Sequence, residues 1–435
     1  MTGNMTKQSW MNRSLSPISL LKGVVSISVV LLLALGAKAG TEEPTGGGPA
    51  QMGPAPGHYK VLADDGKIRI PFELFRGDIR MEAEINGKKV RMLLDNGFLW
   101  DQLLFFGSPA VDALGLEYNG EIDVGGSGSG DPVKSHTASG ITIRFSGVEF
   151  YEQDAVITPY SSGVSKMWWG AEGQISAAFF KHFVVDVDFD EMIITLIEPK
   201  KFERPKEGTE VPLKPVIHDA WGIPAALELA NGRKVTLDLM MDLGDGGALQ
   251  LSTKGPSQID LPENALPASL GFGIQGEILG HFGRIAGVEI GGYESKNVLA
   301  AFVSSDDDAD RFHEAIIGMA LMSRFNLIFD YPSRRMFIRP NRTFPKPFEY
   351  DMSGMALQRS SSAGLEIVRI HPGSPAEEAG LKKGDKVLKI NGRPAQDYDV
   401  WELHPIMRKE GDTVMLSVIK DGEETAVPIK LRRIL

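Results

Sequence analysis

The chain has 435 residues, too many for one compact core, and its 42% hydrophobic content excludes a disordered chain, so two or three domains are expected. Its formal charge is -11, and the first 39 residues carry only basic charges, so the remainder is more acidic still, which argues against a nucleic-acid surface. There is no cysteine, which excludes disulfides, thiolate nucleophiles, thiolate metal ligands and a lipidated N-terminal cysteine.

Lys7, Arg13 and Lys22 precede an uncharged, Val- and Leu-rich run from Gly23 to Ala37, which closes on Ala37-Lys38-Ala39, an A-x-A site for signal peptidase. The run is shorter than the roughly 20 residues of a spanning helix, so residues 1–39 read as a cleaved signal peptide. A retained N-terminal anchor is the alternative, and it is the only membrane contact expected. The destination is the periplasm or cell envelope of a bacterium. Residues 40–69 read as a tether, Gly- and Pro-rich as far as Gly57.

A repeat follows. Ile79–Gly97 reads IRMEAEINGKKVRMLLDNG and Ile223–Gly244 reads IPAALELANGRKVTLDLMMDLG, each a strand, an Asn-Gly turn, a strand and Asp-x-Gly. Asn-Gly between alternating apolar runs signals a hairpin, because both central residues of a type I′ turn need positive φ. Each copy continues with a Gly-rich stretch (Gly125–Gly130; Gly271–Gly276), then AEGQIS around Gly173 or IIGMAL around Gly318. Each closes similarly, with FVVDVDF at Phe183–Phe189 or FNLIFDY at Phe325–Tyr331. Gly173 lies 78 residues after Asp95, and Gly318 lies 76 after Asp242. Five elements in one order at nearly equal spacing predict a β barrel-like unit occurring twice.

Hairpin, Asp-x-Gly, glycine-rich flap and hydrophobic-hydrophobic-Gly together resemble a retropepsin-like aspartic-peptidase lobe. The expectation is a mainly β chain: lobe 1 over residues 70–205, lobe 2 over 206–345, forming a pseudo-dimer, and a further domain over 350–435. The resemblance implies that Asp95 and Asp242 form a shared catalytic dyad, flanked by Asn96, Gly97, Leu243 and Gly244. Two close carboxylates cannot both ionise cheaply, so they share a proton. The ionised member deprotonates a water while the protonated one polarises the scissile carbonyl. In the family the middle residue of the triplet is Thr or Ser, whose hydroxyl bonds across the lobe interface. Asp95-Asn96-Gly97 and Asp242-Leu243-Gly244 lack it, which implies a slower enzyme and makes Thr at both positions a gain-of-function test. Glu172 stands before Gly173 where the family has an apolar residue, and Asp245 is a competing carboxylate. The plain alternative is that both aspartates accept backbone hydrogen bonds in tight turns.

From about Tyr350 the character changes. HPGSPAEEAGLKKGDKVLKINGRPA, His371–Ala395, resembles the core of bacterial PDZ domains, an α+β fold. Pro375–Ala379 reads as a short helix stopped by Gly380, Lys386–Ile390 as a strand and Asn391-Gly392 as a turn. The resemblance implies a carboxylate-binding loop and strand at Ala363, Gly364, Leu365, Glu366 and Ile367, and hence binding of protein C-termini.

Other signals are weaker. Asp186, Asp188 and Asp190 are spaced like calcium-loop ligands, but Glu191 stands where that loop needs glycine, so a strand end is expected. Asp306–Asp308 with Asp310 read as a solvated loop, and Trp168 and Trp169 as core or cleft lining. No zinc or serine-hydrolase motif occurs, and neither a cofactor nor a metal is expected. The leading expectation is an exported aspartic endopeptidase acting on peptides or unfolded polypeptide. A non-catalytic peptide-binding module on degenerate lobes and an envelope scaffold are its rivals.

Overall fold

The structure, a computed structural model, describes residues 23–24 and 58–435, except 64–65, 98–101, 129, 163–169, 218–219, 305–313, 360–363 and 421. The rest of the leader, the tether to residue 57, Trp168, Trp169, Asp306–Asp308, Asp310 and Ala363 lie outside the described residues.

After a two-residue strand β1 (Gly23–Val24), the first lobe contains β2 (Tyr59–Val61), β3 (Lys67–Phe75), β4 (Asp78–Ile85), β5 (Lys88–Leu94), β6 (Leu103–Phe106), helix α1 (Pro109–Asp112), β7 (Tyr118–Val124), β8 (Val133–Phe145), β9 (Val148–Thr158), β10 (Gly173–Ile175), α2 (Ala177–His182), β11 (Val184–Asp188) and β12 (Ile193–Ile197). The second contains β13 (Thr209–Pro212), β14 (Lys214–Ile217), β15 (Ala220–Glu228), β16 (Lys234–Met241), β17 (Leu249–Ser252), β18 (Leu266–Gly273), β19 (Gly276–Ile290), β20 (Tyr293–Val303), β21 (Ala315–Ile317), α3 (Met319–Met322), β22 (Phe325–Asp330) and β23 (Arg335–Pro340). The order β4-β5-β10-β6-β9-β8-β7 in lobe 1 recurs as β15-β16-β21-β17-β20-β19-β18 in lobe 2. Each sheet also curls back on itself, β4 pairing β8 and β15 pairing β19. Strict alternation makes these strands: in β4, Ile79, Met81, Ala83 and Ile85 are all buried.

The Asn-Gly turns differ. Asn86 and Gly87 have φ 52° and 73°, the type I′ turn expected. In the second copy Ala230 adds a residue, Leu229 and Arg233 close the loop by a 2.9 Å bond, and only Gly232 turns left-handed, at φ 80°.

The lobes join through one sheet, in the order β13-β23-β22-β11-β12-β3, with β11 and β22 antiparallel at the centre and Val185 opposite Phe329. The two FVVDVDF-like segments are therefore hydrogen-bonded to each other. Asp188 accepts the N–H groups of Asp190 and Glu191 at 2.9 and 3.0 Å, and Asp190 is tied to Arg342, so this acidic run is a strand end as expected.

Residues beyond the lobes form a separate sheet, β24 (Met355–Arg359), β25 (Leu365–Ile370), β26 (Lys386–Ile390), β28 (Thr413–Lys420) and β29 (Glu423–Lys430), with a short β27 (Arg393–Pro394) on β26. Helix α4 (Pro375–Glu378) is capped by Ser374, and α5 (Val400–Met407) by a reciprocal Asp399–Glu402 box. This unit has its own core, including Leu365, Ile367, Val387, Leu416 and Val418. It docks on the lobes through Asp399, 2.8 Å from Arg76 at the β3–β4 turn, and through Tyr350, Ile434 and Leu435 packed on lobe 2.

Candidate active site

Asp95 and Asp242 each follow directly on a central strand, β5 or β16. Their amides are held alike: Asp95 N–H donates to Ile175 O at 3.1 Å and Asp242 N–H to Ile317 O at 3.0 Å. Ile175 therefore matches Ile317, Ser176 matches Gly318, and Gly173 matches Ala315. The expected equivalence of Gly173 with Gly318 is corrected by three residues. Each glycine answers a different crowding: a Cβ on Gly173 would collide with Leu104 O, and one on Gly318 with Asp245 O. Glu172 points away from the aspartates and forms a two-point pair with Arg91.

The inner oxygens of both aspartates sit in tight turns, Gly97 N–H donating to Asp95 Oδ1 at 2.9 Å and Gly244 N–H to Asp242 Oδ1 at 2.8 Å. The turn-capping alternative thus describes half of each carboxylate. Each carboxyl group also lies against the glycine of the opposite lobe. A Cβ on Gly97 would collide with the Asp242 carboxylate, and one on Gly244 would come within 2.6 Å of Asp95 Cγ. The two side chains are thus brought together across the lobe interface, and, after burial, the charge of Asp95 is one of the causes that raise the Asp242 pKa. Asp95 is 2% exposed and Asp242 0%.

The pair is asymmetric. Gln174 Nε2 donates to Asp95 Oδ2 at 3.0 Å, whereas among the described residues no donor reaches Asp242 Oδ2. Burial first, then the charges of Asp95 and Asp245, push the Asp242 carboxyl well above the ordinary range. The residue matching Gln174 in lobe 2 is Ile316, an apolar side chain that has no donor to offer.

Asn96 supplies the seam that a hydroxyl was expected to make. Its Oδ1 accepts Leu243 N–H at 2.8 Å across the lobes, and its Nδ2 donates to Tyr331 Oη at 3.0 Å. An amide presents an acceptor and a donor together, so one side chain ties two segments. Leu243, 0% exposed, lies in the shared apolar core.

The glycine-rich hairpins β7–β8 and β18–β19 meet tip to tip. Gln275 N–H donates to Ser127 O at 2.9 Å, Gly130 N–H to Gln275 O at 2.6 Å, and the Gln275 side chain bridges Gly126 N–H and Gly130 O. Ile274 of the second tip is buried among Leu93, Leu104, Phe106 and Val124 of the first lobe. A Cβ on Gly128 would come within 2.6 Å of Gly276 N, which is why the tips must be glycine.

Sequence reasoning missed Asp78. Pairing of Arg80 with Leu93 places residue 78 opposite residue 95 by continuing the register two steps, while the lobe 2 counterpart is Ala220. Asp78 is 4% exposed, and its Oδ1 has no hydrogen-bond partner. Burial, then Asp95 and Asp245, raise its pKa well above the usual value, against the opposing pull of Arg76. The folded state thus holds this proton more tightly than the unfolded one. Stability is full below the unfolded pKa, about 3.9, and declines as pH rises toward the folded one. Asp78→Asn, neutral at every pH, is expected to stabilise the protein by roughly 1–3 kcal/mol at pH 7 and by nothing at pH 3. Urea unfolding at the two pH values checks this. Asp245 takes no part in the facing pair; its Oδ1 accepts Gly247 N–H at 2.6 Å.

In the C-terminal unit, the expected peptide strand is not free. Gly364 precedes β25, and β25 has neighbours on both edges, with Leu365 paired to Arg359 and Val387, and Glu366 to Gln358 and Lys386. Leu365 and Ile367 are fully buried. The groove of this unit lies one strand earlier, between β24 and α5, lined by Met355, Leu357, Leu403, His404 and Met407. The chain enters the unit through β24, so the strand facing the helix precedes the sequence segment that looked like the core.

Residues 352–431 match the PDZ domain family. Among curated proteins, the chain is 30% identical over 112 residues to the carboxyl-terminal-processing protease of a Picosynechococcus species, covering 24% of this chain and 27% of that one. It is 31% identical over 74 residues to the serine protease HTRA1 of Xenopus tropicalis, covering 17% and 16%. The chain thus spans about a quarter or less of the length of these relatives. Among solved structures, an aspartic proteinase from Irpex lacteus aligns with a TM-score of 0.45 at 10% identity, over 64% of this chain and 99% of that one.

Proposed function

We propose that this is an exported aspartic-peptidase-like enzyme that hydrolyses peptide bonds at Asp95 and Asp242 and holds a peptide segment on its PDZ domain. The observation that carries the reading is the facing pair itself: two buried carboxylates from equivalent turns, whose Oδ2 atoms differ, that of Asp95 taking a side-chain donor and that of Asp242 having none among the described residues. In the proposed reaction Asp95, ionised and steadied by Gln174, takes a proton from the attacking water. Asp242 gives its proton to the carbonyl oxygen, and collapse of the tetrahedral diol returns a proton to the leaving amine. Asp245 adds buried negative potential beside Asp242, which favours keeping its proton. Entry of substrate requires the joined flap tips to part.

A non-catalytic binding cleft is the second reading, favoured by Leu243 and by the flap tips bonded over the aspartates. Peptide cleavage by the purified chain separates the two. Export follows from Gly23–Ala39, and the expected mature protein begins at Gly40. Mass spectrometry of protein from its native host checks this, and a mature N-terminus at Met1 would refute it.

A further inference from the structure

A PDZ groove conventionally adds a peptide to a sheet edge and closes at one end in a turn whose free N–H groups receive the ligand's terminal carboxylate. Here the edge is β24, the opposite wall is α5, and the closing turn is Asp351–Met355. Its N–H groups are already engaged. Ser353 N–H and Gly354 N–H both donate to Asp351 Oδ1 at 2.9 Å, as does Ser353 Oγ at 2.6 Å. Met355 N–H donates to Ser353 Oγ at 3.2 Å. The geometry depends on Gly354, at φ 74°, where a Cβ would collide with Ser374. The chain supplies its own carboxylate where a ligand's would go. A second carboxylate at those backbone donors would meet the Asp351 carboxyl and find the turn's N–H groups taken, leaving only the guanidinium groups of Arg369 and Arg408 along the groove to receive it.

A separate observation concerns the edge. Gly23–Val24 lies antiparallel on β24, Gly23 opposite Gln358 and Val24 opposite Leu357. This is a mid-chain segment from an apolar stretch, with polypeptide on both sides of it.

We infer that the groove between β24 and α5 takes an internal, extended, apolar segment by strand addition, and not a free C-terminus. In the unprocessed chain Gly23–Val24 is one such occupant, and its removal vacates the edge for others. This rests on the reading of the PDZ domain as a peptide binder, and it replaces the expectation of terminus capture.

The test uses the chain from Gly40 onward and a fluorescent peptide of residues 18–30, made with a free carboxylate and with a C-terminal amide. Anisotropy titration is expected to give equal affinities within about twofold, and weaker binding of both forms to the full-length chain, whose own segment competes. Asp351→Ala, which empties the turn, is expected to make the acid bind about tenfold better than the amide, the value of a charge-assisted hydrogen bond. A wild-type preference of tenfold or more for the acid overturns the inference but leaves the domain a peptide binder. Failure of both peptides to bind overturns both. Turnover enters none of these readouts, so they stand apart from the aspartate chemistry.

Discussion

Replacing Asp95 or Asp242 by Asn is expected to lower peptide turnover by roughly 10²–10⁴-fold, the usual contribution of a positioned acid or base, while leaving the fold intact. Asn keeps the oxygen that accepts the glycine N–H in each turn, so the local geometry has no reason to change. Asp242→Asn also removes a carboxyl whose charged form is penalised by burial, so its melting temperature should equal or exceed that of the wild type. The wild-type pH profile should be bell-shaped, because one carboxyl must be charged and the other neutral. Gln174 steadies the charged member, and its removal makes the first deprotonation harder. Gln174→Ile, which copies Ile316 of the other lobe, should therefore move the acid limb up by about 1–2 pH units, the equivalent of a 1.5–3 kcal/mol hydrogen bond to a charge. An unmoved acid limb would remove the assignment of Asp95 as the base. If the wild type cleaves nothing in a broad peptide library between about pH 3 and pH 7, where ordinary and raised carboxylates titrate, the binding-cleft reading takes over.

Asn96→Ala is expected to destabilise the lobe assembly by roughly 1–3 kcal/mol, because it leaves the buried Leu243 N–H without a partner and removes the bond to the half-buried Tyr331 Oη. Tyr331 is half-buried and stacked on Phe180 at 5.2 Å. Chemical unfolding should show a lower midpoint with little change in slope, since the surface exposed on unfolding is the same. A shift below about 0.5 kcal/mol, the level of an ordinary surface change, would mean that the seam is held by the β11–β22 ladder alone. The same geometry turns the double change Asn96→Thr with Leu243→Thr from an expected gain into an expected loss. Thr at 96 offers a single oxygen, one bond nearer the backbone, where Asn reaches its two partners with separate atoms, and Thr at 243 places a hydroxyl in an apolar core.

The sequence by itself determined what repeats with a local period. Alternating apolar residues set the strands, and Asn-Gly, Asp-x-Gly and the glycine runs set the turns between them, so the duplicated β order and the PDZ core were legible before any coordinates. These signals depend on neighbours within a few residues, which a sequence displays directly. The matched positions of Asp95 and Asp242 came from the same repeat.

Tertiary structure alone decided what depends on register between distant strands. A slip of three residues separates Gly173 from the true counterpart of Gly318, and it was invisible because glycine answers any close approach, whichever backbone causes it. Asp78 enters the site only through the β4–β5 pairing, and Gln174 only because β10 lies parallel on β5. Asn96 replaces a hydroxyl because an amide reaches two partners that lie 147 and 235 residues away in sequence. In the PDZ domain the motif marked the core correctly, but which strand keeps a free edge depends on the order of strands in the sheet. A strand's unpaired N–H and C=O groups, the physical basis of peptide addition, cannot be known until every neighbour has been placed.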